Sequence, residues 1–355
     1  MSSLFAHFPK LATHLPICSL GDFPTPIERW EGLTSNKVEL WVKREDRAGS
    51  LYGGNKVRKL EHLLGEAKHR ERAEAAPRVV TLGAWGSNHA LAVALYGQAL
   101  GLRVDTVLFP QPLSQDTIPS IREHLLAQIS ADAQVWPART FPGVLPKYMA
   151  AYFAKRGPKV VIPSGGSSPL GTLGWVSGGL EIADQVVDRK EPPFDVVYVT
   201  VGTGGTAAGL LLGLGHAAVH VRGVRVVPWP IASQWMVERL ADQTERLLCK
   251  LADVRLPSRP LFSVDGRFVG PGIGYGVATP LSKQAVGKAR TLGLPVETTY
   301  TGKTLAALLA DADSGILDGK RVLFMLTASG ADLSERIARA DENRLPNWLV
   351  SALAK

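Results

Sequence analysis

The chain has 355 residues, of which 45% are hydrophobic and 20% charged, the composition of an ordinary globular protein with a sizeable core and room for two domains. Its net charge of +8 would suit a polyanionic partner, but the basic runs, Lys68 to Arg72 and Arg336 to Glu342, mix signs on helical patterns and read as solvated faces, so no nucleic-acid partner is expected. Two cysteines, Cys18 and Cys249, offer neither a disulfide framework nor a metal site; the N-terminus, broken by His7, Pro9, Lys10, His14 and Pro16, is a poor secretory signal; no apolar run approaches membrane-spanning length; and a cytoplasmic protein is the expectation.

In chain order, short β-branched runs alternate with helical patterns, which predicts a mostly parallel sheet with helices on its faces. Lys37 to Lys43 alternates like a strand and delivers Arg44-Glu45-Asp46 into a loop ahead of Gly53-Gly54. Val57, Leu60, Leu63, Leu64 and Ala67 recur at helical spacing, so a helix starts near Asn55. Its first turn carries Lys56, Arg58 and Lys59, cations that oppose the helix dipole. Either this is a surface helix indifferent to the dipole, or something holds the cations in place and Lys56 is a reactive or anion-facing lysine presented on a tight Gly-Gly turn.

A strand at Arg78 to Leu82 runs through Gly83-Ala84-Trp85-Gly86 into a helix opening at Ser87-Asn88-His89. A strand at Arg103 to Phe109 follows, then helices near Ser114 to Gln128 and Val144 to Lys155, and a strand at Lys159 to Pro163. Ser164 to Pro169, rich in glycine and serine, reads as a flexible, poorly packed crossing between lobes. Beyond it the pattern predicts a helix near Leu173 to Val187, a strand at Asp195 to Val201, a helix from Thr206 to Ala218 and a strand at Val221 to Val227. Helices near Ser233 to Leu251, Pro280 to Leu292 and Thr304 to Ala312, a strand at Arg321 to Leu326 and a helix from Ala331 to Ala340 complete the chain.

Three stretches besides the lysine turn carry chemistry. Gly202-Thr203-Gly204-Gly205-Thr206 leaves a strand and enters a helix, so successive backbone N–H groups can turn toward one anion at the helix's positive end. The same glycines also satisfy a loose dinucleotide pattern, but the following strand, Val221 to Pro228, ends without the acid that a ribose needs, which favours a single phosphate. A turn serving close helix-to-strand packing is the alternative. Ser87 is a good N-cap and can be that alone; otherwise Ser87 and Asn88 bind a carboxylate or phenolic oxygen, with His89 a packed histidine or an acid or base. Tyr275, in Gly270 to Gly276, and Tyr300, in Glu297 to Lys303, are half-buried aromatics or lie flat against a planar ligand.

A lysine, a phosphate cradle, an anion-binding helix start and flat aromatics are what pyridoxal phosphate (PLP) requires. Leu40 to Asp46, Tyr52-Gly53-Gly54-Asn55-Lys56-Val57-Arg58-Lys59-Leu60-Glu61, Ser87-Asn88-His89, Val201 to Thr206 and Tyr300-Thr301-Gly302-Lys303, in that order, resemble the D-cysteine desulfhydrase and 1-aminocyclopropane-1-carboxylate deaminase family over roughly Ser19 to Leu333. The resemblance implies an α/β, tryptophan synthase β-like fold (fold type II): two open twisted lobes with the cofactor between them, as a homodimer acting on a small amino acid. A large domain of residues 1–58 and 166–355 would hold a small inserted domain of residues 59–165.

By the same resemblance Lys56 would carry PLP and serve as the base, Asn88 would contact the phenolic oxygen, and Gly202, Thr203, Gly204, Gly205 and Thr206 would hold the phosphate. Ser87, with Asn88 and His89, would bind the substrate, and Tyr275 and Tyr300 would flank cofactor and substrate. Thr301 or Thr327 would meet the ring nitrogen. Deaminases of the family tend to have Glu at the Thr301 position and Leu near the last strand's end, so Thr301 and Thr327 point to α,β-elimination of D-cysteine. Deamination of a cyclopropane or hydroxy amino acid, racemisation, or a non-catalytic anion-binding relative are the alternatives. Gly86, Leu91, Ala92 and Leu326 depart from the family's usual residues, in what the resemblance makes the surroundings of the substrate carboxylate.

Overall fold

The β-branched and aromatic runs form strands β1 (Ile27–Arg29), β2 (Glu39–Lys43), β3 (Arg78–Ala84), β4 (Arg103–Phe109), β5 (Gln134–Pro137), β6 (Lys159–Ile162), β7 (Val196–Val201), β8 (His220–Arg225), β9 (Leu261–Asp265) and β10 (Arg321–Met325). These come from a computed structural model that describes residues 2–35, 37–70, 77–153, 159–215, 218–270 and 274–354. Among the described residues the strands make two sheets, β1-β2-β10-β7-β8-β9 and β5-β4-β3-β6. Every pairing is parallel except β1 with β2. Helices α1 (Ser3–His7), α2 (Lys56–His69), α3 (Asn88–Ala99), α4 (Ile118–Ser130), α5 (Val144–Phe153) and α6 (Pro169–Asp188) precede α7 (Gly205–Gly213), α8 (Gln234–Ala252), α9 (Pro280–Thr291), α10 (Thr301–Asp313), α11 (Ser334–Ala338) and α12 (Asn347–Leu353).

Period-2 alternation decides the faces of the larger sheet. Trp41, Val197, Val199, Val201, Leu323 and Met325 bury against residues of α6, α7 and α8, while Leu40, Val42, Tyr198, Val322 and Phe324 bury against α9 and α10. In the smaller sheet Val79 packs with apolar residues of α2 and α3, and Val80 and Val107 face Ala151 of α5. The chain's end crosses to this second sheet: Leu345, Leu349 and Leu353 bury beside Ile121 and Leu125 of α4.

The predicted strands and long helices recur within a few residues. Strands β1, β5 and β9 and helices α1 and α12 were not expected, and the helix expected from Ala331 begins at Ser334. The end expected at Lys155 and the residues after Gly215 in the helix expected to reach Ala218 fall partly outside the described residues, as do Glu71 and Arg72 of the first basic run and three residues of Gly270 to Gly276. Ser164 to Gly166 corrects an expectation: rather than a loose crossing it is a tight helical turn with Gly165 and Gly166 buried. No described helix is long and apolar enough to cross a membrane.

Parallel strands end on the same side. Residues following β3, β4, β6, β7, β8 and β10 all open into one cavity of about 700 Å³, which is where α/β sheets present ligand sites.

Candidate active site

The lysine turn is clamped from three directions. Gly54 sits at φ +89°, and a Cβ there would meet the Thr327 carbonyl oxygen at 2.8 Å, so glycine is required both for the turn and for the close approach to the end of β10. Its N–H donates to the Glu45 carbonyl (2.7 Å), the Asn55 N–H to the Thr327 carbonyl (3.2 Å), and the Trp175 indole of α6 to the Asn55 carbonyl (2.9 Å). Lys56, first residue of α2, is thereby held in the cavity with Nζ 2.9 Å from the Asn55 side-chain oxygen. Burial lowers its ammonium to about 8, so about a tenth of it is a nucleophilic neutral amine at pH 7, far more than an ordinary lysine offers.

The cations of that first turn are not a surface feature. Arg58 is buried and donates to both Glu45 and Glu181. Lys59 is buried too, its Nζ 3.0 Å from the Gly165 carbonyl and 3.2 Å from Ser167 Oγ. Burial, and then Lys56, hold the Lys59 ammonium well below the ordinary lysine range.

Lys59 faces the glycine loop at the start of α7. Ser167 Oγ accepts the Gly205 N–H (3.2 Å) and pairs with the Thr203 hydroxyl (2.7 Å), while Asn55 Nδ2 donates to the Thr206 hydroxyl (2.8 Å). A Cβ at Gly205 would stand 2.7 Å from both Lys59 Nζ and Ser167 Oγ. The result is a cup of N–H and hydroxyl donors with an amine in its wall, and a phosphate dianion fits that donor set. Lys59 and Ser167 were missed by sequence reasoning because each looks like an ordinary helix or loop polar residue. Lys59→Met should weaken PLP binding about 10- to 10²-fold, the loss expected of one charge-assisted contact, in a titration of the visible absorption band.

The opposite wall starts at α3. Ser87 Oγ accepts the Ala90 N–H (3.2 Å) and Ser87 also lines the cavity, so the capping and functional readings are compatible. The Tyr52 hydroxyl donates to Asn88 Oδ1 (2.6 Å), and burial raises that phenol far above its usual range. His89 borders the cavity, but its Nε2 is 2.9 Å from the Thr81 hydroxyl. Burial, then Lys56 and Lys59, hold it well below the ordinary imidazole range, which leaves it neutral. Gln111, also unforeseen, reaches over from the loop after β4 and lines the cavity, its Oε1 accepting the Gly86 N–H (3.1 Å).

Tyr300 and Tyr275 meet edge to face, ring centroids 5.6 Å apart, with Tyr300 donating to the Tyr275 hydroxyl (2.7 Å). Burial pushes Tyr275 up to about 12 and, with Tyr275 beside it, raises Tyr300 well above the ordinary phenol, so both are protonated donors at neutral pH. Lys303 anchors this wall from outside the cavity by donating to the Gly274 carbonyl (2.7 Å).

Thr301 is not part of the wall. It is fully buried, its hydroxyl 3.0 Å from Glu297 Oε1, and it does not line the cavity. Glu297 does, but its carboxylate is consumed as the cap of α10, accepting the N–H groups of Thr299, Tyr300 and Thr301. Thr327 lines the cavity as expected. Among the departures noted in the sequence, Leu91, Ala92 and Leu326 are fully buried in the apolar cores and do not line the cavity, so of those four only Gly86 stands beside the site.

The pyridoxal-phosphate dependent enzyme family matches residues 18–328. The chain belongs to this family. It is a PLP-dependent enzyme of fold type II, and the cavity's amine and phosphate cup fit the cofactor. The chain is 30% identical over 358 residues to the bifunctional D-cysteine desulfhydrase/1-aminocyclopropane-1-carboxylate deaminase of Arabidopsis thaliana, covering 97% of this chain and 84% of the relative. It is 31% identical over 307 residues to the D-cysteine desulfhydrase of Salmonella schwarzengrund, covering 84% and 88%. A crystal structure described as an ACC deaminase homologue superposes with a TM-score of 0.75 at 28% identity, covering 97% of this chain and all of the other.

Proposed function

We propose that the protein is a PLP-dependent lyase that converts D-cysteine to pyruvate, sulfide and ammonia. When bound, the cofactor supplies an electron sink that acidifies the substrate's α C–H. Lys56 would hold it and, as a neutral amine, take the α proton. Lys59 and the Gly202 to Thr206 loop, backed by Ser167, would hold the phosphate. Ser87, the N-terminus of α3 and the Gln111 amide would orient the substrate carboxylate, with Asn88 at the phenolic oxygen. The protonated Tyr300–Tyr275 pair would donate at the substrate's side-chain end.

The observation that carries elimination over cyclopropane opening is the absence, among the described lining residues, of an acid free to meet the ring nitrogen. Glu297 is occupied by three backbone N–H groups, and Thr327 supplies a hydroxyl. A hydroxyl leaves the pyridine largely unprotonated, which suffices for loss of a good leaving group. Domain boundaries near residues 58 and 166, a homodimer and residence in a reducing cytoplasm belong to the same proposal; both cysteines are free thiols, consistent with the last.

The test is a visible absorption spectrum of the purified, PLP-loaded protein with D-cysteine, coupled to assays for sulfide and pyruvate. A borohydride-sensitive band that shifts with D-cysteine while both products appear is the expected result. An oxo acid released without sulfide from a cyclopropane amino acid, and no turnover of D-cysteine, would favour the deaminase.

A further inference from the structure

The cavity has a second character that D-cysteine does not use. Facing it from the four-stranded lobe are Phe109, Pro110, Pro112 and Phe141, and from the loop after β8 come Val227 and Ile231. Phe109 and Phe141 stack with centroids 5.9 Å apart at 26°. Phe141 is nevertheless 67% exposed and Ile231 51% exposed, so both lobes hold bare apolar surface toward the same opening. A neighbouring polar cavity of about 660 Å³ shares Tyr52, Asn88, Gln111, Tyr275, Glu297 and Tyr300 with the first but none of these six apolar residues. The apolar surface is therefore a separate vestibule on one side of the site, continuous with the space that holds Lys56. Large apolar side chains left exposed together at a cavity mouth mark a surface that a ligand covers.

We propose that, beside D-cysteine, this lyase takes and prefers a cysteine S-alkylated by an aromatic or branched group, whose leaving group is a bulky apolar thiol seated between Phe141 and Ile231. The proposal rests on the lyase reading and specifies its substrate. The chemistry balances without an added oxidant or reductant: the α proton goes to Lys56, the Cβ–S bond breaks with its electron pair leaving on sulfur, and one water converts the remaining three carbons to pyruvate and ammonia. The products from the thioether are the free apolar thiol, pyruvate and ammonium.

The experiment compares S-benzyl-D-cysteine with D-cysteine on the PLP-loaded protein, reading kcat/KM from pyruvate. In parallel, isothermal titration compares benzylthiopropanoate with mercaptopropanoate, which lack the amine and cannot react. The expected results are a kcat/KM for the benzyl thioether at least ~10-fold above that for D-cysteine, tighter binding of benzylthiopropanoate by a similar factor, and loss of most of both preferences in Phe141→Ala. Because Phe141 is two-thirds exposed, that variant should fold, and a retained thermal transition checks it. A preference for the bare thiol, with no tighter binding of the benzyl acid, would overturn the proposal. So would Phe141→Ala dissociating an oligomer without changing either preference, since the patch would then be a subunit contact. No visible band and no turnover of either amino acid would sink the lyase reading, and the titration would still decide the vestibule.

Discussion

Lys56→Ala should remove the visible absorption band of the cofactor and reduce pyruvate formation by at least ~10²–10⁴-fold, the contribution of a positioned acid–base group alone. Lys56→Arg should do the same, since it keeps the charge without a free amine. The fold should survive both, because the turn is held by backbone contacts from Gly54 and Asn55 to Glu45, Thr327 and Trp175, none of which involves the amine. The pH dependence separates this lysine from the others. Only the neutral amine attacks an aldehyde, and burial lowers Lys56 from an ordinary 10.5 to about 8. The rate at which added PLP develops its band in the cofactor-free protein should therefore rise with pH and level off above an inflection near 8. An inflection near 10.5 would show that the amine is solvated and that the cavity does not activate it.

Much of this site was legible because its parts are local. Lys56, Ser87, Asn88 and the Gly202 to Thr206 loop each sit at a strand-to-helix junction, where glycine and capping residues announce a helix N-terminus. What was not legible depends on contacts across the chain. Ser167 and Thr203 are 36 residues apart and meet at 2.7 Å only once α6 and α7 are packed. Gln111 belongs to a loop with no periodic signal, and its place is fixed by the Gly86 N–H rather than by its neighbours in sequence. Thr301 was misassigned for the converse reason: the motif put it next to Tyr300, but the first turn of a helix rotates successive side chains to different faces, and its hydroxyl turned inward to Glu297. Leu91 and Ala92, noted as departures from the family's residues around the substrate carboxylate, lie on α3, which is buried along most of its length and carries them into the core. The strands missed in the sequence, β1, β5 and β9, are edge strands of three to five residues.

Arg58→Met should cost about 3–5 kcal/mol of folding stability, measured as a shift in the urea midpoint. Arg58 lies within a buried set of two cations and two carboxylates. Its guanidinium donates to Glu45 and Glu181, Lys43 donates to Glu181 and the Thr25 carbonyl, and the Phe23 ring covers the guanidinium at 4.0 Å. Removing Arg58 leaves two buried carboxylates against one ammonium. Glu45→Gln added to Arg58→Met should restore part of the loss, because the remaining Lys43–Glu181 pair is neutral; a double variant as weak as the single one would show that the loss is packing and not charge. The pH dependence has a definite sign. Burial by itself would raise the Glu181 carboxyl, but Arg58 and Lys43 hold it below its ordinary 4.5, so in the native protein its stabilisation is complete above that value and lost as pH falls through the lower folded value. Without Arg58 burial gains ground and the Glu181 carboxyl moves up, so stability of the variant declines as pH rises from about 4.5 toward neutrality. The gap between the two proteins should be widest near pH 7 and close toward pH 4. Function should follow stability here, because Arg58 is two residues from Lys56 on α2 and the backbone carbonyl of Glu45 receives the Gly54 N–H of the lysine turn. The same buried charges that offset the helix's basic first turn thus hold the lysine turn in place, and a cation at Arg58 that looks misplaced in the sequence is explained by two carboxylates 13 and 123 residues away.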